Sequence, residues 1–462
     1  MKILLIAYDN DSFISVFPLG LAYIASACRE AGHEVKIYNQ DVNHWPEEHL
    51  LELLNKKKFD VVGMGIVAGY YQYRKLLKIS QAINASKNRP FFVIGGHGPS
   101  PEPAYFLRKT KADAVIIGEG ELTVVELLKT LESKKSLSTV KGIAFIDNNK
   151  FIQTPRRPLI PDINKIAFPA WDLFPIDHYS LLKGSSAESK ARSMMILSAR
   201  GCTFKCNFCY RMDDGQRLRS PESIVDEIKR LQKDYSIVNI GFEDELLMSS
   251  AKRTVELCES FIKAKLKFNW RCSGRLNYAN PEVLKLMKDT GCFFINYGIE
   301  SLDDKVLKNM NKGLTQAVII KGIENTLKAG ISPGLNIIFG NIGDNAETLN
   351  KSVEFLLKYD DGSQLRTIRP VTPYPGSPLY YYAIEKGLLK DCADFYENKH
   401  LNSDLLTVNF TDFSDDEFYK CLMEANIRLI KNYYKNKLDY TLLQCDDLYI
   451  KRNAGFRGFR QT

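Results

Sequence analysis

The chain has 462 residues, about three times the length of a typical domain, which predicts two or three domains. Hydrophobic residues make up 45% and charged residues 26% of it, which excludes a disordered chain, a collagen-like repeat and a small disulfide scaffold. The net charge of +8 arises from basic residues scattered among 55 acidic ones, so nucleic-acid binding is not indicated.

Membrane insertion and secretion are not expected either. No apolar run approaches the roughly 20 residues of a membrane-spanning helix, and Asp9 interrupts the first apolar run too early for a signal peptide. Of ten cysteines, only Cys202, Cys206 and Cys209 are closely grouped, which favours one metal or redox site in a reducing compartment over a disulfide framework. We therefore expect a cytoplasmic protein.

Residues 1–140 alternate short apolar runs with amphipathic segments. Strands are predicted at 2–8, 34–39, 60–66, 90–94 and 114–117, and helices at 19–31, 71–85 and 122–131. This α/β alternation predicts a doubly wound, Rossmann-like sheet that binds ligands beyond the carboxyl ends of its strands. Glycine-rich segments follow three strands, at 63–65, 95–98 and 118–121, and they either admit a ligand close to the backbone or are simply tight loops.

Residues 141–191 are predicted to form a hairpin around Asn148-Asn149, with strands at 141–147 and 150–154, and then a proline-rich linker.

Strand–helix alternation resumes over residues 192–390. Strands are predicted at 193–198, 237–242, 268–272, 293–299, 332–339 and 364–369, and helices at 221–232, 251–264, 281–290, 316–329 and 347–358. Ser220 and Asn280 are predicted N-caps, each before a first-turn proline. Six units predict a partial (β/α)6 barrel with its active site at the carboxyl ends of the strands. Residues 391–462 are predicted to be a small helical region without a recognisable motif.

The strongest chemical signal is the group Cys202, Cys206 and Cys209, which directly follows the first predicted barrel strand. Three thiolates at this spacing can bind three irons of a [4Fe–4S] cluster and leave the fourth iron open for a ligand. The alternatives are a zinc site and buried free thiols. A structural zinc site requires a fourth Cys or His nearby, and residues 210–219 contain neither.

This Cys-x-x-x-Cys-x-aromatic-Cys motif at the start of a (β/α) barrel resembles the radical S-adenosylmethionine (radical SAM) superfamily, over about residues 192–369. In that family the open iron chelates S-adenosylmethionine, and reduction cleaves it to a 5′-deoxyadenosyl radical. The resemblance implies that S-adenosylmethionine is contacted by Phe208 at the adenine, Glu243 or Asp244 at the methionyl amine, Arg275 at the carboxylate or ribose, Glu300 at the ribose, Ser301 near the carboxylate, and the backbone of Gly340 and Asn341 at the adenine. The alternatives are a solvated charge run at 243–245, a surface arginine at 275 and an ordinary loop glycine at 340.

Segments 17–25, 93–97 and 115–121 together resemble the cobalamin-binding domain that is fused to many radical SAM enzymes. The resemblance places the corrin over the strand ends, with the nucleotide tail running into the domain. The cobalamin contacts that it implies are Leu19, Gly65, Val67, Gly69, Tyr70, Gly95, Gly96, His97, Gly118, Glu119 and Gly120.

The Asp-x-His-x-x-Gly signature of proteins that bind cobalt through histidine is absent, because Asp41 and His44 have the wrong spacing. We therefore predict no histidine ligand to cobalt, and expect the loop 67–72 to lie under the corrin. The alternative for that loop is that Tyr70 and Tyr71 only begin the next helix.

The resemblance implies a cobalamin-dependent radical SAM methyltransferase (class B) that methylates an unactivated carbon, or phosphorus, of a small molecule or peptide. The alternative is ring formation, rearrangement or oxidation by the same cofactors. Methylthio transfer to transfer RNA would need a second cysteine triad, but the first 190 residues contain only Cys28. A non-catalytic carrier of the cluster or of cobalamin is disfavoured by the open iron.

The implied partners are an electron donor such as flavodoxin or ferredoxin and a substrate bound near Arg369 and Tyr374, in the last predicted strand and its loop. Arg369 can pair with a carboxylate or phosphate through its planar guanidinium group, or form a structural ion pair. We expect a monomer.

Overall fold

The computed structural model describes residues 1–11, 16–181 and 192–455. The strands of its first sheet are β1 (Lys2–Ala7), β2 (Glu34–Asn39), β3 (Val61–Gly65), β4 (Phe91–Gly95), β5 (Ala114–Ile116), β6 (Ile143–Asp147) and β7 (Lys150–Gln153). Their order is β2-β1-β3-β4-β5-β6-β7, with β1 to β5 parallel and β6 and β7 antiparallel. The predicted doubly wound sheet is confirmed.

The helices of this part are α1 (Leu19–Glu30), α2 (Gln40–Asn43), α3 (Glu47–Lys56), α4 (Tyr70–Ala85), α5 (Pro103–Thr110) and α6 (Glu121–Glu132). Only α1, α4 and α6 were predicted from the sequence. Strand β1 is buried from its second residue onward, as expected of a central strand covered on both faces. Because β1 lies between β2 and β3, the sheet has its topological switch point at β1/β3, where such folds bind ligands.

The predicted hairpin is present. Strands β6 and β7 pair from Asp147 and Lys150 outward. Asn148 and Asn149 adopt φ values of 48° and 62°, the left-handed conformation that a two-residue type I′ turn requires and that asparagine tolerates. The hairpin extends the first sheet beyond β5.

A second sheet forms an open half-barrel. Its strands are β8 (Ser193–Ile196), β11 (Asn239–Phe242), β12 (Asn269–Gly274), β13 (Cys292–Glu300), β14 (Ser332–Phe339) and β15 (Arg369–Pro370), and a separate pair is β9 (Ala199–Cys202) with β10 (Gly215–Leu218). The six sheet strands are parallel, in the order β15-β14-β13-β12-β11-β8. This confirms the partial barrel. The prediction for β15 was wrong in position, because the observed two-residue strand begins where the predicted strand at 364–369 ends.

The helices around this sheet are α7 (Ile176–Leu181), α8 (Pro221–Tyr235), α9 (Ala251–Lys263), α10 (Pro281–Asp289), α11 (Asp304–Asn309), α12 (Gln316–Lys328) and α13 (Ala346–Tyr359). The N-caps are as predicted, since Ser220 accepts a hydrogen bond from the Ser223 N–H and Asn280 accepts one from the Val283 N–H. The core between sheet and helices includes Trp270, against whose indole the rings of Phe242 and Phe261 pack edge-on. Full burial of a large apolar side chain contributes about 1.5–3 kcal/mol.

The C-terminal region contains α14 (Pro378–Glu385), α15 (Cys392–Asp394) and the 31-residue helix α16 (Asp415–Cys445). It packs on both parts of the chain: the Phe418 ring stacks on Phe339 of β14 at 4.9 Å, and the Tyr396 ring stacks on Tyr73 of α4 at 4.6 Å. Helix α16 is the longest described helix, and no helix among the described residues combines the length and apolar composition needed to cross a membrane. The predicted linker and C-terminal region extend into 182–191 and 456–462, outside the described residues.

Candidate active site

The three grouped cysteines lie on a short antiparallel hairpin and the loop that it carries. Cys202 ends β9 and pairs with Gly215 of β10, while Cys206 and Cys209 lie in the loop between the strands. Gly201 adopts φ +80°, and a Cβ atom there would lie 2.4 Å from the Gly215 carbonyl oxygen. The close approach of the two strands therefore requires glycine next to Cys202.

The thiols fit a cluster better than a single metal ion. All three are free of disulfides, and burial raises the pKa of the Cys202 thiol while the nearby Arg275 lowers it. Among the described residues, no three His, Cys, Asp or Glu side chains converge as one metal ion would require. In a [4Fe–4S] cluster each thiolate binds a different iron, so the sulfurs need not converge. The three thiolates therefore suit three irons of one cluster.

Arg275 is buried against this loop. Its guanidinium carbon lies 3.4 Å from the centroid of the Phe204 ring, within cation–π distance. The guanidinium also donates hydrogen bonds to the Asn277 side chain, at 3.0 Å, and to the Lys312 carbonyl. Only 6% of Arg275 is exposed, so the surface-arginine alternative is wrong. A fixed positive charge therefore lies beside the cysteines.

A second cation beside the loop is Lys312, which the sequence analysis missed. Its Nζ lies 2.9 Å from Glu300 Oε1 and 5.6 Å from the centroid of the Phe208 ring. Burial lowers the pKa of Lys312, but the charge of Glu300, the nearby Cys206 and the hydrogen bond to Glu300 together outweigh burial and raise the pKa overall. The pair thus places one charge of each sign next to Phe208, the predicted adenine neighbour.

Glu300 is held in an unusual backbone conformation. Its φ of +69° is left-handed, which costs energy in a residue other than glycine and is often found at functional sites. A Cβ atom at Gly298 would lie 2.4 Å from Glu300 Oε1 and 2.9 Å from Lys312 Nζ, so a side chain there would displace the ion pair. The Ser301 hydroxyl, also buried, accepts a hydrogen bond from the Asp303 N–H at 3.2 Å.

The two acidic residues after β11, Glu243 and Asp244, have different surroundings. Asp244 is buried, and its carboxylate accepts hydrogen bonds from the N–H groups of Ser198 and Ala199, at 2.6 and 2.9 Å, and from the Ser198 hydroxyl. Asp244 therefore fixes the connection between β8 and β9, a role that its sequence position does not reveal. Glu243 is half-exposed and pairs with Arg271, so it remains the predicted contact for the methionyl amine.

The predicted adenine contacts after β14 also have partners within the protein. The N–H groups of Gly340 and Asn341 donate to Asp344 Oδ2 at 3.0 and 2.9 Å. The side-chain amides of Asn341 and Asn207 exchange hydrogen bonds at 3.1 and 3.2 Å, which joins this loop to the cysteine loop. Both N–H groups thus have a partner within the protein, and the backbone contact with adenine at Gly340 and Asn341 stays a prediction.

The predicted cobalamin loops meet at the carboxyl edge of the first sheet. Gly96, at φ +97°, lies so close to the loop after β3 that a Cβ atom would be 2.6 Å from the Ile66 carbonyl oxygen. Gly65 and Gly118 instead face open space, and Val67 is exposed although it is apolar. These features leave an accessible surface over the strand ends.

Other predicted cobalamin contacts are distributed around this edge. Gly95 ends β4, and Gly69 directly precedes α4. Tyr70 and Tyr71 are the first two residues of α4, so the backbone of both tyrosines is helical, as the alternative for this loop states. Leu19 is the first residue of α1, half-buried against the core. A Cβ atom at Gly120 would lie 2.6 Å from the Ile24 side chain, so this glycine serves helix packing.

Glu119 makes a different contact from the predicted one. Its buried carboxylate pairs with Arg200 of β9 and Arg217 of β10, at 2.8 Å each, and accepts a hydrogen bond from the Ile160 N–H at 2.9 Å. The carboxylate is thus bound to the cysteine hairpin, a partner that the sequence analysis does not predict.

A cavity of about 210 Å³ lies between the first sheet and the cysteine loop. Ser100, Ile117, Thr154 and Tyr210 are among its lining residues, and the buried Ser100 hydroxyl has no hydrogen-bond partner among the described residues. Tyr210 follows Cys209 directly, and its ring centroid lies 6.1 Å from that of His97. The unpaired Ser100 hydroxyl can bind a polar group of a ligand, but the cavity itself is too small to enclose a whole cobalamin.

The two predicted substrate residues, Arg369 and Tyr374, have different surroundings. Arg369 is exposed and pairs with Asp404 at 2.8 Å, so its guanidinium forms the structural ion pair given as the alternative. The half-buried Tyr374 packs edge-on against His400 at 5.4 Å. Only Tyr374 retains the surroundings expected of a residue that lines a site.

Comparison with known proteins identifies both parts of the chain. The model of the radical SAM superfamily matches residues 196–356, and the model of the B12 binding domain matches residues 13–128. The chain is 32% identical over 403 residues to the uncharacterized methyltransferase PH0819 of Pyrococcus horikoshii, covering 84% of each protein. It is 26% identical over 374 residues to the anaerobic magnesium-protoporphyrin IX monomethyl ester cyclase of Rubrivivax gelatinosus, covering 79% of this chain and 65% of the relative.

Among solved structures, the fold is similar to that of the radical S-adenosylmethionine methyltransferase TsrM from Kitasatospora setae, solved with cobalamin and a [4Fe–4S] cluster bound. The TM-score is 0.67 at 17% identity, over 83% of this chain and 75% of that chain. The chain belongs to the radical SAM enzymes that carry an N-terminal B12-binding domain, and its cofactors are a [4Fe–4S] cluster, S-adenosylmethionine and cobalamin.

Proposed function

We propose that this enzyme is a methyltransferase that methylates an unactivated carbon, or phosphorus, of a small molecule or peptide. The relative from Pyrococcus horikoshii, described as a methyltransferase, supports this, since the likeness covers most of both proteins. When bound, the cluster and S-adenosylmethionine supply a 5′-deoxyadenosyl radical, and cobalamin carries the methyl group.

The observation that carries the proposal is the contact between the two predicted cofactor regions. Tyr210, directly after Cys209, packs against His97 at the carboxyl edge of the first sheet, where cobalamin is predicted to bind. A Cβ atom at Gly376 would lie 2.5 Å from the Tyr210 ring and 2.7 Å from Pro101, so the loop after β15 closes on the same place. Methyl transfer between two cofactors needs such proximity.

The chain's own residues would act as follows. Cys202, Cys206 and Cys209 would hold three irons, and Arg275 would offset part of the negative charge of the thiolates. Phe208 would stack beside the adenine. Glu243 would hold the methionyl amine of S-adenosylmethionine after exchanging its contact with Arg271.

For the rest of the molecule we propose domain boundaries at 1–140, 141–191, 192–390 and 391–462. We also propose that the enzyme acts as a cytoplasmic monomer and receives electrons from a flavodoxin or ferredoxin. A reducing compartment keeps cysteines that bind iron from forming disulfides.

A second candidate is ring formation without methyl transfer, which the likeness to the Rubrivivax cyclase favours. The two are separated by incubating reconstituted enzyme with hydroxocobalamin, S-adenosylmethionine and titanium(III) citrate as reductant. A methyltransferase forms S-adenosylhomocysteine as well as 5′-deoxyadenosine. Formation of 5′-deoxyadenosine alone contradicts methyl transfer and supports the second candidate.

A further inference from the structure

A buried charge network joins the β9–β10 hairpin, which carries Cys202, to the segment after β5 that is predicted to border cobalamin. We call Glu119, Glu121, Arg200 and Arg217 the charge network. Arg200 and Arg217 lie opposite each other on β9 and β10, and both guanidinium groups reach the Glu119 carboxylate. Arg200 also pairs with Glu121, the first residue of α6. Two residues of one strand pair thus bind Glu119 in the loop after β5 and Glu121 at the start of α6.

The network is shielded from water. Only 8% of the Glu119 side chain and 9% of the Glu121 side chain are exposed, and the aliphatic and aromatic surface around Arg200 includes the Tyr23 ring, 5.3 Å from its guanidinium carbon. Ion pairs with this little exposure are screened weakly by salt, and removal of one partner leaves a buried charge uncompensated.

The ionisation state of the Glu119 carboxylate is consistent with a lasting ion pair with Arg200 and Arg217. Burial alone would raise the pKa of Glu119, but hydrogen bonds from Arg217, the Ile160 N–H and Arg200 outweigh it and hold the pKa below its ordinary value. Glu119 is therefore ionised at neutral pH and available to both arginines.

The sequence positions of Glu119 and Arg200 show which two parts of the predicted active site the network connects. Glu119 lies between Gly118 and Gly120, in the loop predicted to border cobalamin, and Arg200 lies two residues before Cys202. We infer that Glu119 is a positioning residue that fixes the cysteine hairpin to the cobalamin-binding loop, and so sets the position of the cluster and its S-adenosylmethionine relative to cobalt. This inference rests on the proposed function.

The test is the Glu119→Gln variant, with Glu126→Gln as the matched control. Glu126 lies on α6 and pairs with Arg157, outside the hairpin, and its side chain is partly exposed. With hydroxocobalamin, S-adenosylmethionine and titanium(III) citrate, we expect Glu119→Gln to form S-adenosylhomocysteine roughly tenfold more slowly, because small displacements of reacting groups are costly. Its formation of 5′-deoxyadenosine and its affinity for hydroxocobalamin should stay unchanged.

A second measurement needs no cofactor. In the apoprotein, hydrogen–deuterium exchange of peptides covering 199–218 should be faster in Glu119→Gln than in wild type and unchanged in Glu126→Gln. Arg200→Lys, which keeps the charge but loses the guanidinium fork that spans Glu119 and Glu121, should act like Glu119→Gln in both measurements.

Three results would overturn the inference: equal losses of both products, a weakened affinity for hydroxocobalamin that alone explains the loss, or unchanged exchange of the hairpin. If the wild-type enzyme forms no S-adenosylhomocysteine, the proposed function fails, while the exchange experiment still decides whether Glu119 holds the hairpin.

Discussion

Lys312 and Glu300 form a buried ion pair, with Nζ 2.9 Å from Oε1, beside the ring of Phe208. Neither residue is near the cysteines in sequence, yet both border the cysteine loop. The pair allows a first prediction about stability, because each buried charge is stabilised by the other.

We expect Lys312→Met to lower the free energy of unfolding of the apoprotein by about 3–5 kcal/mol, since it leaves Glu300 buried without a counter-charge. The double variant Lys312→Met/Glu300→Gln should recover much of that loss. Urea titration followed by circular dichroism measures both. Lys56→Met, which removes an exposed pair with Glu52, is the control and should cost at most about 1 kcal/mol. Equal losses in Lys312→Met and Lys56→Met would contradict the described burial of the Lys312–Glu300 pair.

Asp244 predicts a pH dependence. Burial raises the pKa of its carboxyl to about 6, above the ordinary value of 3.8, despite hydrogen bonds from Ser198 and Ala199. A raised pKa means that the folded state holds the proton over pH 4–6 after the unfolded state has lost it. The stabilisation from this group is therefore complete below pH 4 and is lost as the pH rises through 6, by about 3 kcal/mol.

The Asp244→Asn variant lacks this dependence, while its amide oxygen can still accept from the two N–H groups. The stability of the apo variant relative to wild type should therefore rise between pH 4 and 7. The exposed Asp289→Asn variant controls for removal of an acid. A stability difference that is constant over this range would show that Asp244 does not titrate as described.

The cysteine loop predicts the iron content. Anaerobically reconstituted protein should bind about four irons per chain, and the variant Cys202→Ala/Cys206→Ala/Cys209→Ala almost none, with no 5′-deoxyadenosine formed. Cys445→Ala, at the exposed end of α16, should keep its iron. Iron retained by the triple variant, or zinc in the native protein, would refute the cluster.

The lower face of cobalt is tested by electron paramagnetic resonance of bound cob(II)alamin. We predict no nitrogen splitting from a protein imidazole, because the Asp-x-His-x-x-Gly spacing of proteins that bind cobalt through histidine is absent. A splitting that disappears in His44→Ala or His97→Ala would show a histidine ligand and refute this prediction.

The sequence predicts local structure where short-range chemistry decides it. The Asn148-Asn149 turn, the caps Ser220 and Asn280, and most strands follow from neighbouring residues. Short helices such as α2 and α5 were missed, because they contain too few residues to show a helical period.

The roles of charged side chains were harder to predict, because their partners are distant in sequence. Glu119 pairs with arginines 81 and 98 positions away, and no local pattern reveals this. Lys312 lies between two helices without a motif. Asp244 and its neighbour Glu243 look equivalent in sequence, and only the fold directs one inward.

Methyl transfer is tested most directly by supplying S-adenosylmethionine with a trideuterated methyl group to the reconstituted enzyme, cobalamin, reductant and a pool of metabolites and peptides. Mass spectrometry should find a product that carries the intact trideuteromethyl group, formed together with 5′-deoxyadenosine and absent with the cysteine variant. A substrate consumed with 5′-deoxyadenosine formation, but converted to an unlabelled product, would contradict the proposed methyltransferase.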